Sequence, residues 1–141
     1  MRHIRVATVL PAPPHEVWER LRDIASHVDW MADADAIRFT TERREGVGTA
    51  FECDTKVGPL RMTDKMQVTA WVPDREMAIR HTGVVAGRGR FLLEPFGARH
   101  TTFTWDEELA FPRWMRPAAP VARRVLAWVW RRNLRRLRAL F

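Results

Sequence analysis

Three residues able to exchange protons share one predicted face of a sheet. Asp64, His81 and Glu107 each lie two residues along the chain from a large apolar residue, in segments where apolar and polar residues alternate. Alternate side chains of a strand point to the same side, so all three should face the interior. A carboxylate enclosed by apolar side chains should have a raised pKa, which suits proton transfer near neutral pH. We therefore take Glu107, His81 and Asp64 as candidate catalytic residues, or as groups that orient a polar part of a ligand.

A purely structural role is the alternative for the same three residues. An inward acid can pair with an arginine of a neighbouring strand, and strand ends are often wet. Asp64 follows closely on the turn predicted at Gly58-Pro59. A histidine in an apolar row is often a hydrogen-bonded, non-catalytic group, so the sequence leaves both interpretations of His81 open.

The apolar residues on the same predicted face could form the wall of a pocket. Trp105 on the sheet and Trp128 on the last helix should face each other, where a planar ligand would stack; plain core packing is the alternative. Gly87 and Gly89 leave room beside the sheet, either for a wider pocket or for the helix. We call the side of the sheet to which a strand residue points, as set by strict alternation, its parity. The wall predicted from this parity and from the last helix consists of Phe51, Met66, Ile79, Phe91, Trp105 and Trp128.

The strands and helices that must position these residues can be predicted in order along the chain. Residues 3–10 read as a strand, and residues 15–23 and 24–28 read as two short helices. From about residue 36 to residue 111 the period is that of strands, interrupted by turn residues. The segment Val121–Leu140 has no Gly or Pro and reads as a long helix.

This order predicts an α+β fold of the helix-grip type, as a single domain over residues 1–141. Short spacings between the strands imply antiparallel hairpins. The expected architecture is a curved seven-stranded antiparallel sheet wrapped around a long C-terminal helix, with two short helices after the first strand. A cavity remains between helix and sheet wherever inward side chains do not fill the space.

The composition and the motifs argue against a membrane-spanning, secreted, disulfide-linked or metal-binding protein. No apolar run reaches the roughly 20 residues that span a bilayer, and the start has no continuous apolar stretch like a secretory signal, so we expect a cytoplasmic protein. The single cysteine, Cys53, cannot form an internal disulfide and reads as a small buried hydrophobe. The histidines form no metal spacing, and no phosphate loop or nucleophile elbow occurs, so we predict no metal and no cofactor.

The net charge of +7 is concentrated at one end of the chain. Residues 113–141 contain nine arginines and no acid. The run that includes Arg131, Arg132, Arg135 and Arg136 could be an ordinary solvated helix face. With nearby tryptophans it could instead contact an anionic membrane surface. Nucleic acid or ribosome binding is the least favoured interpretation, because the sequence predicts no basic sheet with exposed aromatic residues on which bases could stack.

The order of elements and several local sequences together resemble the START-like superfamily, also called SRPBCC, and within it the polyketide cyclase/dehydrase and lipid-transport group. The resemblance covers nearly the whole chain and implies a helix-grip fold with a cavity far more strongly than any one reaction. By this resemblance Trp30 should lie near the cavity mouth, with an ordinary cap on the core as the alternative. Asn133 should occupy a recurrent position on the last helix that faces either the cavity or solvent. The matching segments are Ala12-Pro13-Pro14-His15-Glu16-Val17-Trp18, Leu21, Asp23, Trp30, Val47-Gly48-Thr49, Leu93-Glu94-Pro95, Thr101-Thr102-Phe103-Thr104-Trp105 and Arg132-Asn133-Leu134-Arg135-Arg136-Leu137.

The expected function is binding of a hydrophobic small molecule, namely a polyketide-like aromatic, a lipid or an isoprenoid/quinone. One alternative is a cofactor-independent cyclase, dehydratase or isomerase that uses the same pocket, with Glu107 or His81 as general base. The other is a peripheral membrane- or ribosome-associated module that acts through the arginine-rich helix.

Overall fold

The computed structural model describes residues 2–141 and contains one seven-stranded antiparallel sheet. Its strand order is β1-β7-β6-β5-β4-β3-β2, so the first strand closes next to the last and the other neighbours are consecutive hairpins. The strands are β1 (Arg2–Leu10), β2 (Ala34–Phe39), β3 (Ala50–Val57), β4 (Leu60–Val72), β5 (Glu76–Thr82), β6 (Ala86–Pro95) and β7 (Thr101–Ala110).

Helices cover the concave side of this sheet. Helix α1 (Pro14–Leu21) has proline in its first turn, where the missing N–H costs no hydrogen bond, and a 3-10 helix (Ile24–Asp29) follows it. A second 3-10 helix (Arg113–Ala118) leads into the long helix α2 (Ala119–Arg138), which contacts β1. The predicted fold class, a helix-grip α+β architecture with seven antiparallel strands, is therefore confirmed.

One register shift changes which side chains of β4 face inward. Strict alternation predicts Ala70 on the inner face after Val68. A β-bulge between Val68 and Ala70 inserts one residue, so Trp71 lies opposite the buried Met77. Trp71 then packs edge-on against Trp18 of α1, with ring centroids 5.1 Å apart. A bulge reverses parity beyond it, which the alternation of residue types does not reveal.

The buried face of α2 also differs from the predicted one. The apolar pattern predicts a wide packed side with Val121, Val125, Trp128 or Val129, Arg132 and Leu137, widened by Leu126, Trp130, Leu134 and Phe141. Of these residues Val121, Val125 and Trp128 are exposed. The buried residues of α2 are Ala119, Trp130, Asn133, Leu134 and Leu137. Apolar residues surround much of the helix near its N-terminus, so the sequence alone does not select the stripe that meets the sheet.

Candidate functional site

A cavity of about 640 Å³ lies between the sheet and α2. Its lining comes from β2 to β7, from both 3-10 helices, from the loop before β2, and from α2 as far as Trp130. A volume of this size is within the range of small-molecule sites. The polar side chains on its lining are few, and the rest of the wall is mostly methionine, aliphatic and aromatic residues, such as Phe51, Met62, Met66, Ile79, Phe91, Trp105 and Leu126.

The structure brings together the three predicted acid–base residues. His81 of β5 lies between Asp64 of β4 and Glu107 of β7. Its Nδ1 is 3.4 Å from Asp64 Oδ1, and its Nε2 is 3.4 Å from Glu107 Oε2. The side chains of His81 and Glu107 are only 6% and 7% exposed. All three residues line the cavity.

The environment of His81 favours its charged form. Burial lowers the pKa of the imidazole, but the charge of Glu107 and the hydrogen-bonding and charge interactions with Asp64 and Glu107 outweigh it and raise the pKa to about 10. His81 is therefore an imidazolium near neutral pH, held between two carboxylates. The sequence predicted a raised pKa for an enclosed carboxylate, and the structure adds a raised pKa for the His81 imidazole.

Glu107 is fixed by groups on both sides of its carboxylate. Trp105 Nε1 donates a hydrogen bond to Glu107 Oε1 at 3.1 Å. Gly89 of β6 is the register partner of Glu107, and a Cβ at residue 89 would lie 2.6–2.8 Å from Glu107 Cγ, Oε1 and Cδ. The room that Gly89 leaves is thus occupied by the carboxylate, which is neither of the two uses that the sequence suggested.

The predicted apolar wall is largely on the cavity, with one correction. Phe51, Met66, Ile79, Phe91 and Trp105 line it. Trp128 does not, because it lies on the outer side of α2, 55% exposed, under the guanidinium of Arg132. Trp130 occupies the expected place and stacks on Trp105, with ring centroids 4.6 Å apart and planes 12° apart.

Trp30 lies behind the cavity wall and does not line its mouth. It is fully buried. Its ring contacts those of His27, Phe91 and Trp105. Trp30 therefore supports the aromatic wall from the core side.

Asn133 is fully buried and connects α2 to the loop before β2. Its Oδ1 accepts a hydrogen bond from the Ala32 amide at 2.9 Å, and its Nδ2 donates to Asp33 Oδ1 at 2.7 Å. Neither predicted environment, the open cavity or solvent, is the observed one. Through this contact Asn133 holds Asp33 at the cavity.

Asp33 is a site residue that the sequence analysis missed. It lines the cavity, and burial raises its pKa, although hydrogen bonds from Asn133, from the backbone and from Trp130 act against that rise. Asp33 lies in a loop and meets Asn133 across 100 residues of sequence, so no local pattern marks it.

Cys53 lines the same cavity and is buried, as expected. Burial raises the pKa of its thiol to about 11, which keeps the group neutral and unreactive.

Several apolar side chains that line the cavity are also exposed. Val121 and Val125 of α2 and Leu60 at the β3–β4 turn both line the cavity and reach solvent. Trp114, just before α2, is 70% exposed. Further along α2, Arg131, Arg132, Arg135 and Arg136 are exposed and supply four of the seven arginines of the helix. None of the helices in residues 2–141 is long and apolar enough to cross a bilayer.

A curved antiparallel sheet that grips a long helix around a mostly apolar cavity defines a START-like, or SRPBCC, protein. The sequence profile of the polyketide cyclase/dehydrase and lipid transport family matches residues 1–141. The chain belongs to this family.

Solved structures share the fold at low sequence identity. An aromatase/cyclase from a Streptomyces species is 19% identical, with a TM-score of 0.76 over 98% of this chain and 89% of that one. A START superfamily protein from Mycobacterium smegmatis is 10% identical, with a TM-score of 0.79 over 97% and 94%. A protein from Thermus thermophilus is 14% identical, with a TM-score of 0.79 over 98% and 95%. At these identities the likeness concerns the fold, and no functionally curated protein matches the chain.

Proposed function

We propose that this protein binds a hydrophobic small molecule in the cavity between sheet and α2, namely a polyketide-like aromatic, a lipid or an isoprenoid/quinone. The observation that carries the proposal is the mostly apolar cavity of about 640 Å³, on whose wall Asp64, His81 and Glu107 lie together. An apolar ligand gains free energy from the wall, and the polar group fixes its orientation. Phe51, Met66, Ile79, Phe91 and Trp105 supply the apolar contacts, while Asp64, His81 and Glu107 hold a polar group.

Native mass spectrometry of protein purified from its own host tests this proposal. We expect a bound apolar compound that denaturing extraction releases. Ile79→Trp projects a larger ring into the cavity and should reduce the extra mass, whereas Arg80→Trp adds the same side chain on the exposed outer face of β5 and should retain it. Both variants must show the circular dichroism of the folded protein. A ligand that persists in the folded Ile79→Trp variant would place binding elsewhere.

Catalysis is the second candidate function, and the position of His81 between two carboxylates favours it. A cofactor-independent cyclase, dehydratase or isomerase needs an acid and a base facing one pocket. Here Glu107, oriented by Trp105, would accept a proton, and the His81 imidazolium would donate one or stabilise a developing oxyanion.

Turnover of the extracted ligand by Glu107→Gln separates catalyst from carrier. An enzyme should lose activity by roughly 10²-fold or more, whereas a carrier should change affinity only modestly. Full activity in this variant would exclude Glu107 as the base. The neighbouring Glu108→Gln, on the outer face of β7, is the matched control because its partner is the exposed Arg88.

We also propose that the cavity exchanges ligand at an anionic membrane surface. Val121 lines the cavity and is exposed, Trp114 is exposed and precedes the lining residue Met115, and the acid-free C-terminal segment carries arginines further along α2. Apolar side chains beside cations favour an interfacial site.

Sedimentation with vesicles tests the membrane proposal. We expect the protein to bind vesicles that contain phosphatidylserine and not neutral ones. Replacing Arg131, Arg132, Arg135 and Arg136 with glutamine should abolish binding, and Trp114→Ala should weaken it. Equal binding to neutral vesicles, or binding to ribosomes alone, would refute it.

A further inference from the structure

The ionisable groups on the cavity wall carry more negative than positive charge. Three acids line the cavity, Asp33, Asp64 and Glu107, and the imidazolium of His81 is the cation among them. Because His81 lies between Asp64 and Glu107, its charge is already shared by two carboxylates. The excess is negative whether Asp33 is ionised or protonated.

The other ionisable groups of the wall do not offset this excess. Burial lowers the pKa of His27 to about 4 and raises the pKa of the Cys53 thiol to about 11, so both groups are neutral near neutral pH. Arg90 borders the cavity, but its guanidinium lies 3.6 Å from Asp106, an acid outside the lining. Within residues 2–141 the cavity is therefore electronegative, and in a space of low dielectric constant this favours a cation over an anion.

The two carboxylate oxygens of Glu107 have different surroundings. Oε1 accepts a hydrogen bond from Trp105 Nε1, whereas Oε2 has only the 3.4 Å contact with His81 Nε2, which is not a well-formed hydrogen bond. The side chain of Glu107 is 7% exposed, yet Oε2 is not among the fully enclosed polar atoms that lack a partner in residues 2–141, so it retains some surface. Since Glu107 lines the cavity, Oε2 is a buried acceptor with a free side that a ligand can reach.

Asp33 is the second acid that the fold holds at this cavity. Asn133 Nδ2 donates to Asp33 Oδ1 at 2.7 Å. Trp130 also hydrogen-bonds to Asp33, and it stacks on Trp105, the donor to Glu107. Burial and, to a smaller extent, the charge of Glu107 raise the pKa of Asp33, so the two carboxylates repel each other. A cation between them would relieve this repulsion.

We propose that the cavity selects an apolar ligand with a cationic head, a protonated amine, whose ammonium group lies between Asp33 and Glu107 and donates to Glu107 Oε2. This proposal rests on the proposed binding function and adds the class of its ligand. An ammonium group has donors and no acceptor, which matches carboxylate oxygens. Two anions held in place offset the desolvation of the ammonium, whereas a ligand carboxylate would add a like charge and a hydroxyl would leave the excess unbalanced. The apolar body contacts Met66, Ile79 and Phe91.

Two matched ligand series test the head group at constant body. The aromatic series is 2-naphthylmethylamine, 2-naphthylmethanol and 2-naphthoate, and the aliphatic series is decylamine, decanol and decanoate. Dissociation constants are measured by isothermal titration calorimetry on the full chain at neutral pH, where the amines are protonated. We expect the amine to bind about tenfold tighter than the alcohol, and the carboxylate to bind most weakly, in at least one series.

Asp33→Asn tests the contribution of one anion with little change of shape. The amide keeps an oxygen that accepts from Asn133, so the affinity for the amine should fall by about tenfold and the affinity for the alcohol by less than about threefold. Asp35→Asn is the matched control, because Asp35 pairs with Lys56 at 3.0 Å and does not line the cavity. Glu107→Gln is less suitable, since Glu107 also supports the charge of the neighbouring imidazolium.

The outcomes distinguish this proposal from the binding function beneath it. An amine that binds no tighter than the alcohol in both series, a preference for the carboxylate, or a folded Asp33→Asn variant that keeps the full preference for the amine overturns the head-group assignment and leaves the hydrophobic cavity in place. If Asp33→Asn does not fold, the ranking of the three head groups by the wild type decides. Absence of binding in both series overturns the hydrophobic binding function and the head-group assignment with it.

Discussion

The charge state of His81 gives a quantitative test of the site. In the folded protein its pKa is raised to about 10, because Glu107 and Asp64 flank the buried ring. Glu107→Gln removes one of the two charges and keeps the shape of the side chain. A lower pKa should result, because the imidazolium loses a stabilising anion.

The size of the change follows from the distance. Two unit charges 3.4 Å apart interact by about 5 kcal/mol at an effective dielectric constant of 20. At about 1.4 kcal/mol for each pKa unit, this corresponds to about 3.5 units. We therefore expect the pKa of His81 in Glu107→Gln to lie at about 6.5, with Asp64 still supporting the charged form.

Histidine-selective ¹⁵N NMR measures this pKa directly. The His81 signal is assigned by its loss in His81→Gln, and Glu108→Gln is the control that should leave the titration unchanged. The sign for stability follows from the raised pKa: the contribution of His81 is fully present below pH 6.5 and is lost as the pH rises toward 10. A wild-type pKa near 6.5, or a shift below about one unit in Glu107→Gln, would refute the cluster as described.

Three further perturbations test the surrounding structure. Gly89→Ala places a Cβ within 2.8 Å of the Glu107 side chain, so it should destabilise the fold by about 1–3 kcal/mol in urea unfolding, and an unchanged midpoint would contradict the packing. His27 is buried with a pKa lowered to about 4, so its contribution to stability is present above pH 6.5 and falls as the pH drops toward 4. Between about pH 7.5 and pH 5 the free energy of unfolding of the wild type should therefore fall by about 2 kcal/mol more than that of His27→Gln. Equal losses in the two proteins would place the ring in solvent. Asn133→Leu leaves Asp33 and a backbone amide without their partner, so it should cost about 2–3 kcal/mol, whereas a stability change below about 0.5 kcal/mol, that of a surface substitution, would show that the buried contact is dispensable.

The sequence predicted the elements well because each has its own local signal. Period-two alternation and short turns are sufficient for antiparallel hairpins, and a segment without Gly or Pro is sufficient for α2. The same alternation correctly placed Asp64, His81 and Glu107 on the inner face. The alternation could not assign a role to these three residues, because their role depends on which strands lie next to each other and in which register.

Where the prediction was wrong, tertiary contacts had the deciding influence. Trp128 and Trp130 are both apolar residues of one helix, and only the angle at which α2 meets the sheet selects Trp130 for the stack on Trp105. The bulge in β4 turned Trp71 inward through a register shift that leaves no mark in residue types.

The sequence by itself determined the order of strands and helices, the uneven charge and the inward parity of the acid–base residues, because these follow from local periodicity and composition. Only the tertiary structure decided that Asp64, His81 and Glu107 form one cluster, that Gly89 leaves space for Glu107, and that Asn133 holds Asp33 at the cavity. The physical reason is that these contacts join residues from 17 to 100 positions apart, whose distances are set by strand register and helix packing and not by the residues next to them in the chain.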